Sequence, residues 1–456
     1  MKIPVSPPDY GDMSRSIAGD DGELFLRLLG GASPVDSKGR YLHWDKLRHL
    51  APPTSPSPGL SSEQWWFSIK TARRNLYKPL PLKDKQGRPF QFAVPDKIAH
   101  ELHWLDRHAA GSIQSDDTIT NDQTRNTYLI CSLIEEAINS SQLEGASTTR
   151  DVAKEMIRQD RAPKNNSEQM ILNNYLAMQF IREIKDEALT PSIVFELHRL
   201  VTRNTLNEAS VGRFRTVSDE IHVVDNATQK YLHTPPLAKQ LPERMDALCD
   251  FANRGSSVDA GETFLHPVIQ SITLHFMLAY DHPFCDGNGR TARALFYWSM
   301  AKQGYWLAEF VSISRVIKRA PAQYANAFLH TETDDNDLTY FLVHQLDVIH
   351  QAIEALHIFL EKKSQGISEA KRLLVDNPRL HGKLNFRQLA LLRHALKHPR
   401  FSYVVQEHQR SHGISYDVAR KDLLQMADTL KLLIKTKQGK RYYFVVPNDL
   451  EERIAN

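Results

Sequence analysis

Cysteine is scarce in this chain. Cys131, Cys249 and Cys285 are the only three in 456 residues, they lie far apart, and no CxxC pair occurs. That argues against a disulfide framework and offers no zinc-site spacing. A GxxxxGK[ST] stretch is missing, so this is not a P-loop protein. No apolar run is long enough to span a bilayer. The N-terminal basic residue is not followed by the apolar run of a signal peptide, so a cytoplasmic protein without a membrane partner is expected. An excess of one charge is lacking as well. With 57 Lys and Arg against 54 Asp and Glu, the net charge of +3 is too small to make the whole molecule a nucleic-acid binder. What remains is ordinary for a globular protein, 41% hydrophobic and 24% charged, and long enough for two or three domains.

Three regions follow from the patterning. Residues 1–95 are rich in proline, serine and glycine, with "APPTSPSPGLSS" (51–62) as a loop between short helical patterns. In "EQWWFSIKTARRNLY", Trp65 and Trp66 read as packing anchors of an accessory layer. Residues 96–360 are helical almost throughout. "TPSIVFELHRLVTRNTL" carries Thr190 as N-cap and Pro191 at N1, and "HPVIQSITLHFMLAY" places Val268, Ile269, Ile272, Phe276 and Ala279 on one face. One segment departs from this: "EIHVVDNATQKYLHT" (220–234) alternates, turns at Asp225–Thr228 and alternates again, which predicts a β-hairpin. Residues 365–456 predict three helices and a two-stranded hairpin around a Gly-containing turn, the pattern of a winged helix-turn-helix. Residues 383–446 hold thirteen Lys or Arg against four Asp or Glu, a local excess suited to a DNA backbone. The same module could instead serve protein contacts or a homodimer. The expected fold class is therefore mainly α: a helical core with a hairpin flap, plus a C-terminal winged helix-turn-helix.

Chemistry concentrates in "HPFCDGNGRTAR", His282 to Arg293. Gly287, Asn288 and Gly289 can adopt backbone angles closed to most residues and turn their N–H groups into one concavity. The helix that follows adds an N-terminus, which favours an anion. Arg290 and Arg293, three residues apart, can reach the same side and grip a polyphosphate. Asp286 is an oxygen ligand of the kind Mg²⁺ accepts when phosphates complete its shell. His282 has the intrinsic pKa to take a proton from a hydroxyl. Phe284, on the opposite side, should anchor the loop in the core. A Cys285 nucleophile beside His282 would not need two arginines and a glycine turn. A zinc site from His275, His282 and Cys285 lacks the helical ligand spacing. Phosphoryl or nucleotidyl transfer accounts for all the parts: base, metal ligand, anion cradle and charge clamps.

The stretch resembles the signature of the Fic family, HxFx(D/E)GNGRxxR, at every fixed position. The likeness extends to the helix before it and to "GRFRTVSDEIHVVD…YLHTPP", over roughly residues 100–350. The resemblance implies AMP transfer from ATP to hydroxyl side chains of target proteins, the chain itself included, with pyrophosphate leaving. His282 would be the base and Asp286 would hold Mg²⁺. Gly287, Asn288 and Gly289 would cradle the phosphates, Arg290 would take the β-phosphate and Arg293 the γ-phosphate. The hairpin 221–232 would register the target by strand addition. Tyr324, in "APAQYANAF", sits where the family often places an aromatic near the nucleotide, although core packing is an equal reading.

"SSQLEGAS" (140–147) alone is a serine-rich helix end. Beside such a signature it resembles the family's inhibitory element (S/T)xxxE(G/N), met by Ser140, Glu144 and Gly145 on a helix near 135–147. A carboxylate against Arg293 would take that arginine from the γ-phosphate. Two further readings stay open: a DNA-binding regulator with a nucleotide-sensing Fic domain, and an enzyme that removes AMP from its targets.

Overall fold

A computed structural model describes residues 2–30, 33–53, 59–110, 122–225, 228–254, 264–375, 380, 382–398, 400–438 and 441–455. Three N-terminal helices, α1 (Tyr10–Asp20), α2 (Gly22–Gly30) and α3 (Trp44–Leu47), pack with α4 (Ser62–Leu76) around Trp44, Trp65, Trp66 and Phe67. Residues 54–58 of the 51–62 stretch lie outside the described residues. A hairpin follows that the helical reading did not anticipate, β1 (Lys78–Lys83) paired with β2 (Pro89–Phe92). Its turn is closed by the Asp84 carboxylate, which accepts from the backbone N–H of Gln86 and Arg88, and by Gly87 at φ +86°. Buried pairs lock this layer onto the rest of the chain. Lys70 meets Asp334 at 2.5 Å, Arg73 donates to the Tyr340 hydroxyl at 2.7 Å, and the Tyr41 hydroxyl donates to Asp337 at 2.6 Å.

The central region runs through α5 (Asp96–Ala109), α6 (Asp122–Leu143), α7 (Arg150–Gln159), α8 (Asn166–Glu183) and α9 (Pro191–Thr202). Beyond a loop come the short strands β3 (Val223–Val224) and β4 (Tyr231–His233), then α10 (Leu241–Ala252), α11 (Pro267–Asp281) and α12 (Asn288–Lys302). The sequence patterns hold where local chemistry is strong: the Thr190 hydroxyl accepts from Ile193 N–H with Pro191 in the first turn. The 220–234 hairpin is antiparallel but shorter than its alternation suggested, and residues 226 and 227 of its turn lie outside the described residues. α11 was expected to bury one face; nearly every residue of it is buried, and it packs along α12 at the centre of the main core. A helix surrounded on all sides has no amphipathic stripe to display.

After α13 (Ile313–Ile317) and α14 (Pro321–Thr333), α15 runs unbroken from Thr339 to Val375. It crosses the 360–365 boundary at which a separation of domains was expected. The C-terminal module has its own core around Leu391, Leu423, Met426 and Phe444. It comprises α16 (Phe386–Lys397), β5 (Ser402–Tyr403), α17 (Val405–His412), α18 (Tyr416–Leu424), β6 (Ile434–Gln438), β7 (Arg441–Val445) and α19 (Leu450–Ala455). β5, β7 and β6 form an antiparallel sheet in that spatial order; β5 was not foreseen. Among the described residues no helix is long and apolar enough to cross a membrane.

Candidate active site

The 282–293 stretch is the connection between α11 and the first turns of α12. α11 stops because His282, its C-cap, adopts φ +46° and ψ +55°, a left-handed conformation rare for a residue other than glycine. Two contacts hold that strain in place. His282 N–H closes the last turn on the Leu278 carbonyl at 3.0 Å, and the His282 carbonyl accepts from Arg215 Nε at 2.7 Å. The ring donates from Nδ1 to the Ala279 carbonyl at 3.2 Å, which fixes the tautomer and leaves the lone pair on Nε2. Burial pushes the imidazole pKa down to about 4, aided by the charges of His233 and Arg215 and opposed by the Ala279 bond and Glu144. His282 is therefore a neutral ring at pH 7, able to accept a proton.

The loop beyond it is built as a closed unit. Asn288 accepts from Phe284 N–H at 2.9 Å and donates to the Phe284 carbonyl at 2.8 Å. Its side chain is thus committed to the loop, and its backbone N–H remains the group available to an anion. Phe284 is fully buried and stacks on His198, with ring centroids 3.9 Å apart. His198 in turn accepts from Gly212 N–H at Nδ1 and donates from Nε2 to the Asp286 carbonyl at 3.0 Å. Gly287 has φ +81°, and a Cβ there would lie 2.8 Å from Thr202 Cγ2, so glycine is needed for both conformation and packing.

Arg290 and Arg293 do not share a face toward open space, as their spacing had suggested. Arg290 is fully buried beneath the loop, donating to the Val201 carbonyl at 2.6 Å and to Asp286 Oδ2 at 3.2 Å. Burial lowers its pKa, against the pull of Asp286 and Glu144. Its geometry supports the loop and steadies the Asp286 carboxylate, half of whose surface (51%) stays open.

Arg293 reaches the other way, toward the end of α6. Its Nε donates to Ser140 Oγ at 2.9 Å, and its Nη2 donates to the Ser140 carbonyl at 3.1 Å and to Glu144 Oε1 at 2.7 Å. The motif around Glu144 has a local cause. Ala146 N–H bonds to the Ser141 carbonyl and Gly145 N–H to the Gln142 carbonyl, with Gly145 at φ +95°. This is a Schellman end, which makes Glu144 the C-cap and needs a glycine after it. The helix itself ends at Leu143, so Glu144 and Gly145 stand just beyond it. A carboxylate at a helix C-terminus faces the unfavourable end of the dipole. It is held there from outside. Burial would raise the Glu144 pKa, but the Arg293 charge and hydrogen bond, then Arg290 and His282, take it below the ordinary carboxylate range. Arg293 moves in the complementary direction, its loss of solvation outweighed by Glu144.

Glu144 also overhangs the start of α12. A Cβ on Gly289 would come within 2.1 Å of Glu144 Oε1. The carboxylate thus occupies the place where a helix N-terminus favours an anion. Tyr324 is partly buried against the main core, within 2.8 Å of His275 Nε2, with its hydroxyl pKa pushed up to about 12 by burial despite the nearby Arg293. At the flap, His233 is wedged between the Glu332 carboxylate and the Tyr280 carbonyl, each at 2.7 Å, and so fastens β4 to α11. His198, Arg215 and His233 were not singled out from sequence. His198 shares a helix face with Val194, Leu197 and Val201 and reads as a core histidine; Arg215 lies in a loop with no periodicity to mark it.

Residues 188–300 match the family model described as the Fic/DOC family. The chain is 27% identical over 216 residues to the protein adenylyltransferase Fic of Nematostella vectensis, covering 46% of this chain and 45% of that protein. It is 32% identical over 139 residues to the protein adenylyltransferase Fic of Drosophila grimshawi, covering 30% of this chain and 25% of that protein. The matched stretches span less than half the length of these relatives. A solved Fic family protein from Desulfovibrio desulfuricans G20 aligns with 77% of this chain and 95% of its own, at a TM-score of 0.46 and 18% identity. The similarity to the Fic/DOC family thus centres on residues 188–300.

Proposed function

We propose that this Fic-domain chain transfers AMP from ATP to Ser, Thr or Tyr hydroxyls of proteins, itself included, and that Glu144 restrains the reaction. The observation that carries the reading is the state of His282: neutral, its Nδ1 committed to Ala279, its Nε2 lone pair left to accept a proton. Nε2 takes the proton of the target hydroxyl. The oxygen forms a bond to the α-phosphorus as the bond from that phosphorus to the bridging oxygen breaks, and pyrophosphate leaves. Backbone N–H groups at the start of α12 receive the phosphate charge. Arg293, once free of Glu144, holds the γ-phosphate and with it the in-line geometry.

Asp286 fits a magnesium site, as a half-open carboxylate at the loop rim steadied by Arg290. Bound there with the ATP phosphates, Mg²⁺ would offset charge on the departing pyrophosphate. The test uses a Glu144→Gly chain given ATP labelled at either the α- or the γ-phosphate. Only α-label should enter protein, and Glu144→Gly/His282→Ala should take up none. Incorporation of γ-label without α-label would replace adenylylation with phosphorylation.

A second reading concerns the C-terminal module, which we read as a winged helix with duplex DNA as partner. Tyr416 and Arg420 of α18 and Lys435, Arg441 and Tyr442 of the β6–β7 hairpin line one hollow, so that helix and hairpin present cations and aromatics to the same side. Retention of duplex DNA by the full chain should weaken steeply with salt. Absence of retention at low salt would remove DNA as a partner.

A further inference from the structure

The helix that leads to Glu144 contributes Tyr128, Leu129 and Leu133 to the main core and its later residues to a second core. Ile134, Ala137 and Ile138 of α6, Ala153, Met156 and Ile157 of α7, and Met170 and Ile171 of α8 form a cluster separate from the main core. Charges reinforce it: Glu135 of α6 receives Arg150 of α7 at 2.5 Å and Lys154 at 2.6 Å. Gln142 Nε2 donates across the connection to the Thr148 carbonyl at 2.8 Å. α6 and α7 are therefore one hairpin, with the Glu144–Gly145 turn at its tip.

The outer side of this hairpin is covered by the C-terminal module. α17 packs on both α6 and α7. Arg410 of α17 donates to the Arg158 carbonyl at 2.9 Å and pairs with Asp160 at 2.8 Å. Asp160 is the left-handed residue that ends α7, at φ +54°, so the contact lands on the α7 terminus itself. Glu407, one turn earlier on α17, is partly buried in the same seam near Arg158 and Glu155. Within the module α17 is tied to its neighbours: His408 bonds to Asp422 of α18 at 3.1 Å, and Asp422 also holds Arg387 of α16 at 2.6 Å. The side of α18 shared with the β6–β7 hairpin remains exposed.

We propose that the C-terminal module is a clamp on the inhibitory hairpin. With α17 docked through Arg410, α7 is fixed and Glu144 stays on Arg293; loss of docking frees the tip and raises AMP transfer. This rests on the adenylylation reading above. It adds where the brake is set from, the seam between α17 and α7, whose Arg410 and Arg158 lie 252 positions apart.

The test is made in the full-length chain. Arg410→Glu places a carboxylate opposite Asp160 and removes the bond to Arg158. It should raise self-labelling by α-labelled ATP at least about five-fold, the lower end of ordinary coupling between sites. It should also speed amide hydrogen exchange at residues 136–146. Arg410→Glu combined with Glu144→Gly should label no faster than Glu144→Gly alone, since both act through one carboxylate. Asp160→Lys added to Arg410→Glu should return labelling and exchange toward wild type, which a merely misfolded variant would not do. Wild-type labelling and exchange in Arg410→Glu would overturn the clamp, as would a double variant that exceeds Glu144→Gly. If Glu144→Gly itself takes up no label, the adenylylation reading fails, and exchange at 136–146 still decides whether the seam controls the hairpin.

Discussion

Replacing Glu144 separates the two claims on Arg293. In the resting chain Arg293 makes two bonds to Ser140 and one charge-assisted bond to Glu144, and it is buried. Removing the carboxylate therefore leaves the guanidinium oriented by Ser140, with one direction vacated. A charge-assisted hydrogen bond is worth about 1.5–3 kcal/mol. With 29% of the Glu144 side chain open to solvent, a fair discount leaves roughly 1–2 kcal/mol. A γ-phosphate must displace that interaction, and each 1.4 kcal/mol or so is tenfold. Glu144→Gly should bind MgATP about 5- to 30-fold more tightly and label at least that much faster. ADP, which has no γ-phosphate to offer Arg293, should bind both chains alike, within about two-fold on the same arithmetic. Glu144→Gln keeps the shape and loses the charge, so it should fall between them. Without nucleotide, Glu144→Gly should melt lower, because a buried arginine has lost its counter-charge, and ATP should restore more of the loss than ADP. Titration calorimetry and thermal unfolding with each nucleotide measure these differences. Equal affinity gains for ATP and ADP would refute the assignment of Arg293 to the γ-phosphate, and label uptake within two-fold of wild type would refute the brake.

Burial lowers the His282 pKa to about 4, so labelling by Glu144→Gly should be level from about pH 5 upward and fall only as the ring protonates below that; a fall centred near 6.5 in a pH–rate profile would contradict the buried geometry. His43 and His198 are likewise lowered to about 4 by burial, so between pH 6.5 and 4 the unfolded chain binds protons that the folded chain does not. Stability is then full above pH 6.5 and is lost as pH falls toward 4, by up to roughly 3 kcal/mol per histidine. Denaturant unfolding across that range, with His198→Gln as comparison, should show the shallower slope in the variant. Gly287→Ala forces a Cβ at positive φ against Thr202 and should lower stability by about 1–3 kcal/mol. Gly289→Ala sets a Cβ against the Glu144 carboxylate and, at 3.1 Å, Arg293 Nη1, so it should melt lower than wild type and lose the ATP-induced rise in melting temperature.

What could be read from residues alone divides along physical lines. Where one residue satisfies one local demand, pattern sufficed: the Thr190 cap, the β-strands around 225–230 and the burial of Phe284. Where the partner is remote in sequence, it did not. The β1–β2 hairpin hides behind prolines that strands tolerate only at edges. α11 carries no polar stripe to mark its orientation because no side of it meets water. The seam between α17 and α7 joins residues about 250 apart, with nothing in either segment to announce the other.

Arg290 shows what the spacing within a signature leaves unsaid. Its spacing from Arg293 specifies direction around a helix but not what lies beneath that helix. What lies there is the C-terminal end of α9, where the last four carbonyls have no partner within the helix. Val201 is in that last turn, and its carbonyl accepts from Arg290 at 2.6 Å. The same turn supplies Thr202, against which Gly287 packs, and one turn earlier His198 bonds to the Asp286 carbonyl. Asp286, Gly287 and Arg290 are thus all fitted to the end of one helix, and Asn288 closes the loop over Phe284. Half of the signature is spent on shaping the loop, which leaves His282, the Asp286 carboxylate, the backbone of 287–289 and Arg293 to face a ligand. Of these, Arg293 and the start of α12 already face an anion from the chain itself, the Glu144 carboxylate.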